Sequence, residues 1–89
     1  MSSELEVTER FKRAYQRKTP QQRDRVQRTL RLLAENPRHS GLQTHRVHGA
    51  SGVWECYVDG SARVTFEYGS ESVLILRNNC GHDAVLRRP

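Results

Sequence analysis

The stretch TPQQRDRVQRTLRLLAENP, residues 19–37, constrains the first half of this chain more tightly than any other. Thr19 is a strong N-cap, Pro20 suits the first helical position, where its missing N–H costs nothing, and Gln22 stands where a capping box needs it. Val26, Leu30, Leu33 and Ala34 recur at helical spacing as one apolar stripe, and Arg23, Arg25, Arg28 and Arg31 fall mostly outside it. Asn36-Pro37 ends the helix, because the residue before a proline is driven out of helical geometry. Upstream, ELEV at residues 4–7 alternates as a short edge strand would. Thr8 can then cap a shorter helix in which Phe11, Ala14 and Tyr15 share a face, with Lys18 at its end. A strand and a helical hairpin with one apolar side are expected.

Beyond Pro37 the pattern changes. Residues 37–52 hold Pro, Ser and three glycines and read as a connecting loop, with HRVHG inside it as a possible short strand. From Val53 the period is two. Trp54, Cys56 and Val58 alternate with Glu55 and Tyr57 up to a turn at Asp59-Gly60. Val64, Phe66 and Tyr68 then alternate with Arg63, Thr65 and Glu67 up to a turn at Gly69-Ser70. A last strand over about 72–77 is apolar on both faces, as a central strand would be. The fold class implied is α+β: a short N-terminal strand and a two-helix hairpin packed on a twisted, mostly antiparallel sheet of about four strands. With 89 residues there is one domain, 1–89, and one modest core.

Charge narrows the partners. The net charge is +5, and thirteen of the fifteen cations are arginine, the others being Lys12 and Lys18. Guanidinium forks match phosphate oxygens bidentately, so the balance points to nucleic acid or an acidic protein partner. Two cysteines are too few for a disulfide scaffold, no signal peptide is recognisable and no apolar run could span a membrane. A cytoplasmic protein with reduced thiols and no membrane partner is expected.

Register places the candidate site. If Trp54, Cys56, Val58, Val64, Phe66, Leu74 and Leu76 face the helices, pairing Cys56 with Val64 sets Tyr57 beside Arg63. Pairing Phe66 with Leu74 sets Arg63 opposite Arg77; a shift of two residues would keep the same faces. Neighbouring arginines repel unless an anion bridges them, and that anion is either Glu55 or Glu67 or a ligand phosphate. His82 and Asp83 leave the strand that carries Arg77, while His45, Arg46 and His48 enter the sheet from the loop. Histidine exchanges protons near neutral pH and arginine stabilises charge building on phosphorus, which is what RNA cleavage without a metal needs. The competing chemistry is zinc, with Cys80, His82 and His45 or His48 as ligands, but the spacing matches no closed zinc motif.

The order of strand, helical hairpin, loop and antiparallel meander resembles the RelE/ParE superfamily of type II toxin–antitoxin toxins, and within it the RelE/YafQ-like branch. The resemblance covers nearly the whole chain. It is most specific over VWECYVDGSARVTFEYGSESVLILRNNCGHDAVLRRP, which ends in Cys80-Gly81-His82-Asp83-Ala84-Val85-Leu86. It implies a metal-independent endoribonuclease with no cofactor, cutting mRNA on the ribosome by attack of a 2′-hydroxyl, and held in check by a cognate antitoxin. By position it implies that Arg63 binds the phosphate, that His82 is the general acid or base, that His45 is the loop histidine and that Arg77 is the strand-end arginine. Asp83 would orient His82, and Arg46, His48 and Tyr57 would contact RNA. The chain lacks the tyrosine that RelE proper carries near its C-terminus, and RelE's strand lysines, so a histidine mechanism fits better. A ParE-like gyrase-binding toxin and a catalytically degenerate toxin-fold binding protein are the alternatives.

Overall fold

The computed structural model describes residues 2–89. Its elements are β1 (Glu4–Val7), α1 (Glu9–Gln16), α2 (Pro20–Glu35), β2 (His45–Arg46), β3 (Trp54–Tyr57), β4 (Ala62–Tyr68) and β5 (Val73–Gly81), with 3-10 turns at Ser40–Leu42 and His82–Ala84. The sheet has five strands in the order β1-β5-β4-β3-β2, with β1 parallel to β5 and the other pairings antiparallel. The fifth strand is β2, the two-residue segment inside HRVHG.

Local chemistry sets both helices where the sequence put them. Thr8 accepts from the Phe11 N–H at 3.2 Å, and its hydroxyl donates to the Leu76 carbonyl at 2.7 Å, tying the start of α1 to β5. Thr19 and Gln22 form the reciprocal capping box, with Pro20 opening α2. The hairpin lies on one face of the sheet, where Phe11, Val26 and Leu33 pack with Leu42, Cys56, Val64, Phe66, Leu74 and Leu76. The inward set read from the alternation is therefore the core, with Trp54 and Val58 packed at its margin.

The β3–β4 register is as expected, Cys56 opposite Val64 and Tyr57 opposite Arg63. The β4–β5 register is not. Phe66 pairs with Leu76 rather than Leu74, a slip of two residues that keeps the faces. Its cause is the turn: Gly69 belongs to the ladder, donating to the Val73 carbonyl at 2.8 Å, and the reversal comes later, with Glu71 at φ 53°. A Cβ on Gly69 would stand 3.3 Å from that carbonyl oxygen, so glycine permits the approach. Further along, Thr65 pairs with Asn78, leaving Arg77 as the extra residue of a β-bulge. Arg63 consequently faces Cys80, not Arg77, and β5 runs on to Gly81 instead of ending at 77.

The bulge lets β5 continue past the end of β1. There α1 covers its edge, and buried Asn79 donates to the Phe11 carbonyl at 3.0 Å. On the outer sheet face, Val85 of the C-terminal tail packs with Val47 and Val53, and Ala50 and Cys80 lie against them. The outer face is thus partly covered by the tail, because the alternating pattern of β3–β5 says nothing about where residues 82–89 go.

The β3–β4 turn carries a pH signature. The Ser61 N–H donates to Asp59 Oδ1 at 2.9 Å, the Ser61 hydroxyl stands 3.2 Å away, and Arg25 bridges Oδ2 at 3.3 Å. The Ser61 N–H, first among these, holds the Asp59 carboxyl below its ordinary 3.8. A lowered carboxylate stabilises the fold fully above its unfolded value and loses that contribution as pH falls through the folded one. Thermal melts of Asp59→Asn between pH 2 and 5 should therefore show a flatter acid dependence than the native protein. An unchanged slope would count against this turn geometry.

Candidate active site at the Arg63 corner

Arg63 sits where β3, β4 and β5 end together. Its Nη1 donates to the carbonyls of Asp59 at 2.6 Å and Ala62 at 2.9 Å, and the guanidinium carbon lies 4.9 Å from the centre of the Tyr57 ring. The turn and the tyrosine thus hold the fork by one nitrogen, and Nε and Nη2 make no hydrogen bond among the described residues. That is the arrangement of a preorganised anion binder: a fixed cation with donors unspent.

The tail reaches the same corner. Ala62 pairs with Gly81, and the His82 N–H donates to the Ser61 carbonyl at 2.8 Å, so His82 follows directly on the residues that flank Arg63. Its ring is exposed, with Nδ1 3.4 Å from Asp83 Oδ1. Asp83 is exposed as well, and this contact leaves the imidazole Nε2 open to solvent.

His45 lies two positions along the same face. It pairs with Glu55, which pairs with Thr65, while Tyr57 and Arg63 occupy the next outward row. Its Nε2 is 2.5 Å from Glu55 Oε1 and its Nδ1 is 2.7 Å from the Gln43 carbonyl. Both partners are oxygen atoms, so both ring nitrogens are engaged within the protein and the ring is held in one orientation. Gln43 makes the second contact from a left-handed conformation, φ 49°.

The remaining candidates lie elsewhere. Arg77 is paired with Glu67, the carboxylate alternative raised for it, and Glu67 is four strand positions from Arg63, roughly 13 Å away. Arg46 pairs with Trp54 and stacks 5.2 Å from the centre of its ring, on the helix-facing side and so away from Arg63. His48 is exposed in the loop and makes no hydrogen bond among the described residues.

Lys18 was not singled out from the sequence. It lines a cavity of about 310 Å³ with Gln22, Asp59, Ser61, Cys80 and Gly81, at the same corner. Burial lowers its pKa, and only the turn between α1 and α2 brings it there. Burial likewise raises the Cys80 thiol, and it pushes Cys56 up to about 12, so neither is poised as a thiolate. Among the described residues no three His, Cys, Asp or Glu side chains gather as a metal site, and no helix is long and apolar enough to cross a membrane.

No family model and no curated protein matches the sequence. Solved structures do match the fold. A mutant of the E. coli toxin RelE in the free state superposes with a TM-score of 0.73 at 16% identity, covering 99% of this chain and 94% of that one. The YoeB/ParE toxin from Agrobacterium tumefaciens gives 0.71 at 19% identity, covering 89% and 98%. The E. coli DinJ-YafQ toxin-antitoxin complex gives 0.69 at 14% identity, covering 94% and 97%. The likeness is one of architecture: this chain has the fold of RelE- and ParE-type toxins.

Proposed function

We propose that this protein is the toxin of a type II toxin–antitoxin pair and acts as an mRNA endoribonuclease at the Arg63 corner. The observation that carries the reading is a half-spent guanidinium at the sheet corner where backbone pairing brings in the segment bearing His82 and Asp83. In the reaction, a 2′-hydroxyl attacks the adjacent phosphorus, the bond to the 5′-oxygen breaks, and a 2′,3′-cyclic phosphate and a 5′-hydroxyl result. Arg63 holds the phosphoryl oxygens as charge builds on them. His82 exchanges the proton and Asp83 aims it, while His45, held by Glu55 and Gln43, lines the β2 edge of the site. The cognate antitoxin would be an acidic segment that covers this corner, and ribosome-bound mRNA the substrate.

Primer extension on a defined mRNA, with and without programmed ribosomes and in the presence of a chelator, tests this directly. Cleavage is expected from the native protein. His82→Ala should lower it by about 10²–10⁴-fold, the usual range for losing a general acid or base. Full activity in His82→Ala would remove His82 from the mechanism. No cleavage under either condition, together with inhibition of gyrase supercoiling, would sink the nuclease reading in favour of a ParE-like target.

A further inference from the structure

A second basic feature lies beside this corner. Arg10 and Arg13 on α1 and Arg17 at its C-cap recur at intervals of three and four, so they share one side of the helix. Arg88 of the tail joins them around a cavity of about 430 Å³ whose other walls are Ala14 and Asn78. No Asp or Glu side chain lines it, and the side chains of Arg13, Arg17 and Arg88 make no hydrogen bond or ion pair among the described residues. Like charges at these spacings repel, and core packing does not require them, since α1 is anchored through Phe11. The helix dipole favours Arg17 at the C-cap and Arg13 in the last turn, but it opposes Arg10 in the first.

Arg10 is nevertheless fixed in place. It donates through Nη2 to the Arg88 carbonyl at 2.6 Å and through Nη1 to the Pro89 oxygen at 2.9 Å, while Asn78 Nδ2 reaches the Arg88 carbonyl at 3.3 Å. Helix, strand and tail are thereby joined into one basic wall. The wall borders the outer sheet face: Asn78 is two residues before Cys80, which pairs with Arg63, a separation of roughly 8 Å.

We propose that this wall is a second phosphate site, which takes a neighbouring backbone phosphate of single-stranded RNA whose scissile phosphate lies at Arg63. The proposal rests on the RNA-cleaving reading and extends it. Guanidinium forks and an amide suit phosphate oxygens. The only apolar wall is Ala14, so the cavity offers nothing for the buried side-chain anchor on which a docking protein segment depends. Its role is to set which nucleotide reaches Arg63, because a strand held at two phosphates has a fixed register.

The test is fluorescence anisotropy of the full chain with a labelled single-stranded RNA, methylated at its 2′-hydroxyls so that it cannot be cut, titrated over a series of salt concentrations. Arg13 and Arg17 are exposed, so Arg13→Gln/Arg17→Gln is compatible with folding. That double variant should bind on the order of tenfold more weakly, and its log K against log salt should be shallower by about 0.7, the contribution of one phosphate of a single strand that is no longer neutralised. Arg28→Gln/Arg31→Gln, on the exposed side of α2, should change both quantities much less. Unchanged affinity and slope in the α1 variant would overturn the site, as would equal losses in both variants. An α1 variant that loses a polyglutamate peptide but not RNA would assign the wall to an acidic protein and overturn it too. Binding is read without cleavage, so weakened binding in a protein that never cuts RNA would support the wall and remove the nuclease. Undiminished binding with cleavage intact would do the reverse.

Discussion

Phe66→Ala is expected to lower the melting temperature by roughly 12–40 °C. Phe66 is fully buried on the central strand β4, opposite Trp54 on one side and Leu76 on the other. Its ring meets Tyr68 edge-on, with centroids 5.5 Å apart, and belongs to the cluster that includes Val26 and Leu33 of α2. Truncating such a phenylalanine costs about 3–5 kcal/mol, through reduced burial and the cavity left behind. A chain of this length has on the order of 4–13 kcal/mol of stability in total, so the variant stands near the unfolding threshold. At about 4–8 °C per kcal/mol for a domain of this size, the shift is easily read by circular dichroism. Leu86→Ala is the control: Leu86 is 73% exposed and its removal should move the melt by no more than a few degrees. A Phe66→Ala melt within about 5 °C of native would mean that helices and sheet do not meet at this residue.

The same residue shows what the sequence could convey. Alternation along β3 and β4 put Phe66, Val64 and Cys56 inward, and the capping signals at Thr8 and Thr19 located the helices, because each is local chemistry with a fixed period or spacing. What escaped was non-local. Glycine at 69 looked like the turn itself, yet it serves as a ladder residue where a carbonyl approaches closely, and the slip that follows separates Arg63 from Arg77. No periodicity marks the extra residue of a bulge. Val85 carries no signal that it will pack with Val47 and Val53, so the partial cover of the outer face was invisible. Glu55 as the partner of His45 depended on β2, two residues long and too short to show a period. The basic stripe of α1 was present as letters, but its meaning needed the tail that closes the cavity beside it.

Arg63→Ala is expected to reduce RNA cleavage by about 10²–10³-fold, the usual cost of losing one preorganised donor to a developing oxyanion. The residue also holds the turn carbonyls of Asp59 and Ala62, so the variant loses stability as well, by about 1–2 kcal/mol once the half-exposed setting is allowed for. The two contributions separate in Arg63→Lys. An ammonium keeps the charge beside Tyr57, but it lacks the planar fork that engages two carbonyls through one nitrogen while offering Nε and Nη2 to a phosphate. Lysine should therefore recover most of the melting temperature and little of the cleavage rate. The deficit should fall mainly on kcat, because the interaction that lysine cannot make is strongest at the transition state. If cleavage instead tracked the melting temperature across native, Lys and Ala, Arg63 would be a turn clamp and the phosphate would have to be held elsewhere. Lys18 would then be the group to change next, since burial has already lowered its pKa at the same corner.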